Sequence, residues 1–500
     1  MAYQPFPWRA IFIGALLSLL VALYSSYAGL KIGGVYWPMV TTAVVSLALV
    51  RALGSRDKQE INIMQTTAST GGLLAAGVIF TIPAIYMLVL DVSPLDVVLV
   101  SLTGGMLGLL FAYPLRQRMI MEEKLPYADG TAAAAIILAG DEKGKHSRTL
   151  FASLGIGAAY AALNNAVLSL PLSLIPFAGG YLIGTRFTTA WFIGALATVM
   201  IISPYFGGSS IVEIAKPLGV GIVIGAAVAY FITAGMPVFL RTAEYYKKAK
   251  MGNWGMAAIL LTAVLLIYAF NLPLPVALLA VAGAFFMAFI GAKITGEMNV
   301  DPMEIFALIV LLAAKFIFGF GALHLVLLAA VVCIAAGIAG DAMQDFKTGH
   351  ILGTPPEHQL AAEAVGVVSA SLIMGALMLS FSHVGFGGTD FPAPQATAVE
   401  EIIQQGGMPG TLITGMVLGF AFTLITWKLG YGAVAIAFGI GLYVPFMLSL
   451  PLFIGGIARL FIERAGQVEK WRLVAGGVIA GEGLVGVILV LAAAARFLGI

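Results

Sequence analysis

The chain has 500 residues, 60% of them hydrophobic and only 10% charged, with a mean hydropathy of +1.01. Soluble domains carry about 25% charged residues, so the solvent around most of this chain is lipid. A net charge of +2 gives no basic field for nucleic acid, and the single cysteine, Cys333, excludes an internal disulfide and a Cys-based zinc site.

Runs of about 20 apolar residues mark membrane helices. They fall at 8–30, 35–53, 62–90, 95–115, 149–171, 188–206, 217–236, 254–272, 274–292, 303–320, 322–340, 361–382, 411–428, 432–452 and 473–495. Two shorter, less apolar stretches lie at 126–140 and 392–406. Each has a proline at its start and ends in glycine, Gly140 and Gly406, which suits a half-helix or a re-entrant segment facing protein or a water-filled cavity. No loop is long enough for a soluble domain. No phosphate-cradling G-x-x-x-x-G-K-[ST] word is present, which argues against an ATP-driven pump on one polypeptide. Sixty glycines and 22 prolines fit closely packed or broken membrane helices.

Arg9 ahead of an apolar run ending at Ser25-Ser26-Tyr27-Ala28 has the outline of a signal peptide. An internal repeat argues against cleavage there. Gly29-Leu30-Lys31-Ile32-Gly33-Gly34 recurs as Gly291-Ala292-Lys293-Ile294-Thr295-Gly296, and Pro38-Met39 as Pro302-Met303. Leu125-Pro126 leading to Thr131-Ala132 recurs as Phe391-Pro392 leading to Thr397-Ala398. The three matches are collinear and keep nearly the same offset, so they hold one register over a long stretch. Cleavage would remove the first helix of the first copy.

The expected fold is therefore an all-α polytopic membrane protein of about 16 transmembrane helices in two repeat halves, with short re-entrant or broken segments. The halves are 1–250 and 251–500, with no soluble domain. If 126–140 crosses the membrane the repeat is inverted; if it dips in and returns, the repeat is parallel. Arg9, Arg51, Arg56, Lys58, Arg116, Arg118 and Lys124 share one side when the first four spans alternate, which places the N-terminus in the cytoplasm.

Ionisable groups within spans are costly and mark function by default. Glu482, in Gly481-Glu482-Gly483, lies mid-span with no flanking charge; Lys315, deep in 303–320, is read either as its partner or as a snorkelling lysine. Glu304 opens that span, where a carboxylate also favours a helix N-terminus. Asn164 and Asn165 lie mid-span as ligands or interhelical glue. Asn62-Ile63-Met64-Gln65-Thr66-Thr67-Ala68-Ser69-Thr70-Gly71-Gly72 is too polar to face lipid and suits the wall of an aqueous cavity. The stretch Asp341 to His350, with Gln344, Asp345 and Lys347, is read as a loop rich in groups able to bind a cation or carry protons. His146, His324, His350, His358 and His383 show no H-E-x-x-H or i, i+4 pairing, so no catalytic zinc is expected. No G-x-S-x-G word and no mid-span aspartate pair points to intramembrane proteolysis. The expectation is a carrier that is no enzyme and needs no cofactor.

These same words resemble a known family. Asn62-Ile63-Met64-Gln65-Thr66 through Gly71-Gly72, with Gly77-Val78-Ile79-Phe80-Thr81-Ile82-Pro83, resembles a signature of the oligopeptide transporter family, which includes the yellow stripe-like metal-chelate transporters. Leu125-Pro126-Tyr127 with Gly130-Thr131-Ala132, Asp301-Pro302-Met303-Glu304-Ile305-Phe306, Gly340-Asp341 with Gln344-Asp345 and Lys347-Thr348-Gly349, Pro392-Ala393-Pro394-Gln395-Ala396, and Gly481-Glu482-Gly483 follow in order. The resemblance implies about 16 membrane helices, a homodimer, and import driven by a proton or other ion gradient. One departure is Tyr127-Ala128-Asp129-Gly130-Thr131 running into four alanines, where relatives usually place a glutamate or other polar residue. A pocket wall there would be smaller or more apolar. The compact loops fit a prokaryotic member.

The sequence thus points to a secondary transporter in the inner (plasma) membrane, importing short peptides or peptide-like metal chelates by alternating access. Expected substrate contacts are Gln65, Thr66, Thr67, Tyr127, Asp129, Thr131, Asn164, Gln344 and Gln395. Expected ion-coupling residues are Glu482, Glu304, Asp341, Asp345 and Lys315. Partners would be the small-molecule substrate, the lipid bilayer, protons or another coupling ion, and a second copy of the chain, with no nucleic acid. An ion or small-solute channel, a lipid-processing membrane enzyme, and a carrier of another amino-acid-like solute are the alternatives.

Overall fold

The computed structural model describes residues 7–33, 35, 38–140, 145–168, 173–206, 214–236, 270, 272–298, 301, 303–404, 410–431, 434–466 and 468–498. Among them every regular element is helical, as lipid demands of a backbone that must satisfy its own N–H and C=O groups. The first part of the chain forms α1 (Trp8–Ile32), α2 (Pro38–Ala52), α3 (Lys58–Ile79), α4 (Pro83–Met87), α5 (Pro94–Ala112), α6 (Ala128–Ala139), α7 (Lys145–Leu163), α8 (Leu174–Ile183), α9 (Thr185–Ala197) and α10 (Lys216–Tyr230). The second part forms α11 (Leu274–Met298), α12 (Met303–Ala313), α13 (Ala322–Leu352), α14 (Pro356–Ser382), α15 (Pro394–Gln404), α16 (Gly410–Lys428), α17 (Val434–Tyr443), α18 (Phe446–Arg464) and α19 (Val468–Leu498).

Ten of the described helical segments are long and apolar enough to cross a membrane, and α2, α8 and α17 are shorter apolar helices. The expected span 254–272 lies outside the described residues except for Phe270 and Leu272. The run 62–90 is broken between α3 and α4, where Pro83 supplies no backbone donor. The run 432–452 is broken at Pro445, which separates α17 from α18. The stretch Asp341 to His350, expected as a loop, is instead the last part of α13. Nothing in it stops a helix, and the stop comes at Gly353, whose φ of 75° only glycine adopts without strain.

The core is built around α13, buried continuously from Leu325 to Phe346. Small residues let its neighbours close on it. A Cβ at Gly77 of α3 would lie 2.7 Å from the Ile334 Cα, and Gly104 and Gly108 of α5 meet Ile334 and the Ala335 carbonyl just as closely. In lipid, where apolar surface gains little from mere association, this close approach is a main source of helix pairing.

Cross-contacts fix the helix directions. Arg9 pairs with Glu60 at 3.0 Å, and the Gln59 side chain donates to the Gly353 carbonyl at 3.0 Å. The starts of α1, α3 and α14 therefore meet the end of α13 at one end of the bundle. Within α1 and α3, Gly14 packs on Thr67 and Gly71 on Ser18, so these two helices run together and opposite to α13. In contrast, Gly283 of α11 packs on Val332, while Asp301 beyond its end lies against Gly340; α11 runs with α13. The helices that carry the two Gly-x-Lys-Ile words, α1 and α11, consequently point in opposite directions.

The short stretches become α6 and α15. At 1.5 Å per residue, the 12 residues of α6 span about 18 Å, too little for a core of about 30 Å. Lys347, near the end of α13, donates to the Leu125 carbonyl at 2.9 Å, and Gly140 packs against the Arg51 guanidinium at the end of α2. Both ends of this segment therefore stay at the Gly353 end. The second segment does the same at the opposite end: Ala393 N–H donates to the Leu30 carbonyl at 3.0 Å, and Lys315, just past α12, donates to the Ile402 and Ile403 carbonyls.

Candidate functional site: a buried carboxylate cluster and a polar cavity

Asp341 and Asp345 are four residues apart, so α13 presents both carboxylates on one face. Glu363 of α14 meets them, and one oxygen from each of the three lies within 4.8 Å of the others. They are 5%, 0% and 0% exposed. The polar stripe of α3 supplies the donors: Gln65 Nε2 reaches Asp345 Oδ1 at 2.6 Å, Ser69 Oγ reaches Asp345 Oδ2 at 2.9 Å, and Thr70 Oγ1 reaches Glu363 Oε2 at 2.7 Å. Gln359 buttresses the group by donating to the Asp345 carbonyl at 2.5 Å and to Asn62 Oδ1 at 3.3 Å. Asp341 Oδ2, Glu363 Oε1 and Gln359 Oε1 are buried with no hydrogen-bond partner among the described residues.

Glu482 lies elsewhere. Its carboxylate accepts from Ser173 Oγ at 2.5 Å and from Leu174 N–H at 2.9 Å, at the start of α8. It forms part of the wall of a cavity of about 560 Å³ with Tyr27, Lys31, Asn164, Thr389 and Asp390, a volume within the ~300–1,000 Å³ of small-molecule sites. The Lys31 ammonium lies 4.8 Å from the Tyr27 ring centroid, and Tyr27 stands edge-on to Phe391 at 5.5 Å.

The residues singled out in the sequence thus divide among several places. Gln65, Thr66, Asp341 and Asp345 gather at the carboxylate cluster, where Thr66 accepts from Asn62 Nδ2 at 3.5 Å. Asn164 and Glu482 share the cavity. Gln344 and Asp129 belong to the seat of α6, whose Gly130 N–H donates to Gln344 Oε1 at 2.8 Å. Tyr127 is fully buried, its hydroxyl donating to the Ala292 carbonyl at 3.0 Å. Thr131 is exposed and turns back to the Pro126 carbonyl at 2.7 Å, Thr67 bonds within α3 to Ile63 at 2.9 Å, and Gln395 donates to the Gly33 carbonyl at 2.5 Å. Glu304 is in the first turn of α12.

Lys315, read from sequence as a partner of Glu482 or a snorkelling lysine, makes contacts that do not carry the first reading. It serves the C-terminal end of α15, where unpaired carbonyls attract a cation, and the lysine that shares the cavity with Glu482 is Lys31. Glu363 and Gln359 escape the sequence reading. They sit at and just before the near edge of the run 361–382, where a polar residue reads as flanking; an ionisable group two turns beyond Pro356, set a full turn past the polar start of the helix, is the available signal.

The family profile described as OPT oligopeptide transporter protein matches this chain over residues 6–240 and again over 241–493. A putative oligopeptide transporter of Haemophilus influenzae is 27% identical, the match covering 93% of this chain and 92% of that protein. A putative oligopeptide transporter of Saccharomyces cerevisiae is 27% identical over 45% of this chain and 35% of its own length. A probable metal-nicotianamine transporter of Oryza sativa subsp. japonica is 30% identical over 33% of this chain and 28% of its own.

Proposed function

Because this chain belongs to the oligopeptide transporter family, we propose that it is a secondary transporter importing short peptides or peptide-like metal chelates by alternating access, driven by a proton or other cation gradient. The names of its relatives, peptide transporters on one side and metal-nicotianamine transporters on the other, set the substrate range.

The buried cluster of Asp341, Asp345 and Glu363 carries the reading. Three carboxylates this close cannot all stay ionised in a dry interior without help. Donors from α3 satisfy two of them in part, and the bare oxygens on Asp341 and Glu363 are where a shared proton or a bound cation belongs. An intramembrane group that must bind a cation to remain buried is what couples a gradient to a conformational change. The cation is cargo in this scheme, taken up on one side and released on the other.

The opposed directions of α1 and α11 and the re-entrant α6 and α15 at opposite ends support an inverted pair of halves, 1–250 and 251–500, rocking about the site between them. With the N-terminus in the cytoplasm of a cell bounded by this inner membrane, the Lys31 end of α1 faces outward. The cavity around Glu482 then opens to the exterior, as import requires.

The test is uptake of radiolabelled dialanine into proteoliposomes under an imposed pH or sodium gradient. Asp345→Asn and Glu363→Gln are expected to abolish accumulation while leaving dialanine exchange across the membrane. Accumulation at the wild-type level in both variants would sink the coupling role.

A further inference from the structure

Lys31 and Glu482 bring opposite charges to one cavity, and Asp390 adds a second carboxylate at its mouth. The three come from distant parts of the chain: the last turn of α1, the middle of α19 and the loop after α14. The formal charge of this lining is −1. A rim of this composition repels an anionic chelate and favours a ligand carrying its own ammonium and carboxylate.

The wall is organised for that purpose. Glu482 is 6% exposed and is held by the Ser173 hydroxyl and the Leu174 N–H, which occupy only part of a carboxylate's capacity of about four acceptor positions. Lys31 is half-buried over the face of Tyr27, a site that steadies an ammonium without neutralising it. Asn164 offers an amide on the same wall, suited to a peptide bond.

We propose that this cavity binds short peptides through their free ends, the terminal ammonium at Glu482 and Asp390 and the terminal carboxylate at Lys31, with Asn164 against the peptide amide. Glu482, read from sequence as a coupling group, is on this assignment a specificity residue. The proposal rests on the transporter reading and narrows it to peptides with both ends free, over chelates whose amines are engaged by metal.

The experiment is equilibrium binding to the purified full chain in nanodiscs by isothermal titration calorimetry, with no gradient, so a failure of ion coupling cannot mask the result. The probes are dialanine, N-acetyl-dialanine, dialanine amide and the nickel–nicotianamine chelate. Each capped peptide is expected to bind about tenfold or more weaker than dialanine, the usual effect of losing a hydrogen bond to a charged group, and the chelate weaker still. Lys31→Gln should erase the difference between dialanine and its amide while keeping the penalty for acetylation. Because Glu482 also caps α8, Asp390→Asn on the exposed loop is the safer probe of the ammonium side and should shrink the acetylation penalty. Equal binding of free and capped peptides, tighter binding of the chelate, no binding of any probe, or a Lys31→Gln variant that still discriminates the amide would each overturn the assignment, while gradient-driven uptake could stand.

Discussion

The backbone N–H of Tyr127 donates to the carbonyl of Gly296 at 3.2 Å, and in the matching place of the second half Ala393 N–H donates to the Leu30 carbonyl at 3.0 Å. The two donors share a left-handed backbone, φ 42° and 41°. Four residues later Thr131 and Thr397 each turn a hydroxyl back to Pro126 and Pro392. The short helix of each half thus hangs from a helix of the other, α6 from α11 and α15 from α1.

Tyr127 fits only because residue 296 lacks a side chain. A Cβ there would lie 2.7 Å from the Tyr127 Cζ. Gly296→Ala is expected to destabilise the chain by about 1–3 kcal/mol through overpacking, read as a lowered midpoint of thermal unfolding in detergent. An unchanged midpoint would show that α6 is seated more loosely than described.

Lys315 should matter through the end of α15. Its ammonium donates to Ile402 and Ile403, and a cation at a helix C-terminus contributes about 0.3–1 kcal/mol, or up to ~2 when partly buried. Lys315→Met is expected to lower thermal stability by about that amount, with Lys315→Arg restoring part of it. Equal loss in both variants would argue for packing instead of charge. In the first half, Arg51 against Gly140 occupies the corresponding place at the end of α6.

Gln65 and Asp345, 2.6 Å apart and both fully buried, should be energetically coupled. A double-mutant cycle of Gln65→Leu and Asp345→Asn on unfolding free energy is expected to give about 1–3 kcal/mol. A coupling near zero would place the two side chains apart.

Glu123, outside the spans, supplies a pH signature. Burial pushes its carboxyl up, but hydrogen bonds and charge from Lys293 and Arg118 outweigh this and hold it below the ordinary 4.5. The Arg118 Nε contact is 2.6 Å, and Lys293 closes on the other oxygen. A pKa lower in the folded than the unfolded state contributes stability that is complete above the unfolded value and is lost as pH falls through the folded one. Below about pH 4.5 the melting midpoint should therefore drop, and Glu123→Gln should flatten that part of the curve; an identical acid limb in the variant would remove Glu123 as its source.

The helical class, the two short segments and the register of the repeat are all legible in the sequence, because burial in lipid writes hydropathy directly into composition. Direction is not. Whether α6 crosses or returns depends on contacts such as Lys347 with Leu125, which lie far apart in the chain, and it returns although α1 and α11 are opposed. Counting crossings alone would have a returning α6 leave α1 and α11 parallel, whereas their contacts with α3 and α13 set them in opposite directions. Asp341 and Asp345 stand out by their neighbours in sequence but read as loop, since a polar stretch carries no sign that other helices will bury it. Depth in the hydropathy profile leaves Lys315 open as a partner of Glu482 or a snorkelling lysine. It cannot say that Lys31 shares the cavity while Lys315 serves another helix.

The crossed suspension of α6 and α15 also sets an order of assembly. When the ribosome has released Tyr127, the carbonyl that will receive its N–H, at Gly296, has not been synthesised, and an unpaired backbone donor in hydrocarbon costs several kcal/mol. Helix α6 must wait for α11 before it can settle, so the N-terminal half is unfinished until well into the second, whereas the Leu30 carbonyl that receives the Ala393 N–H is already in place when α15 emerges.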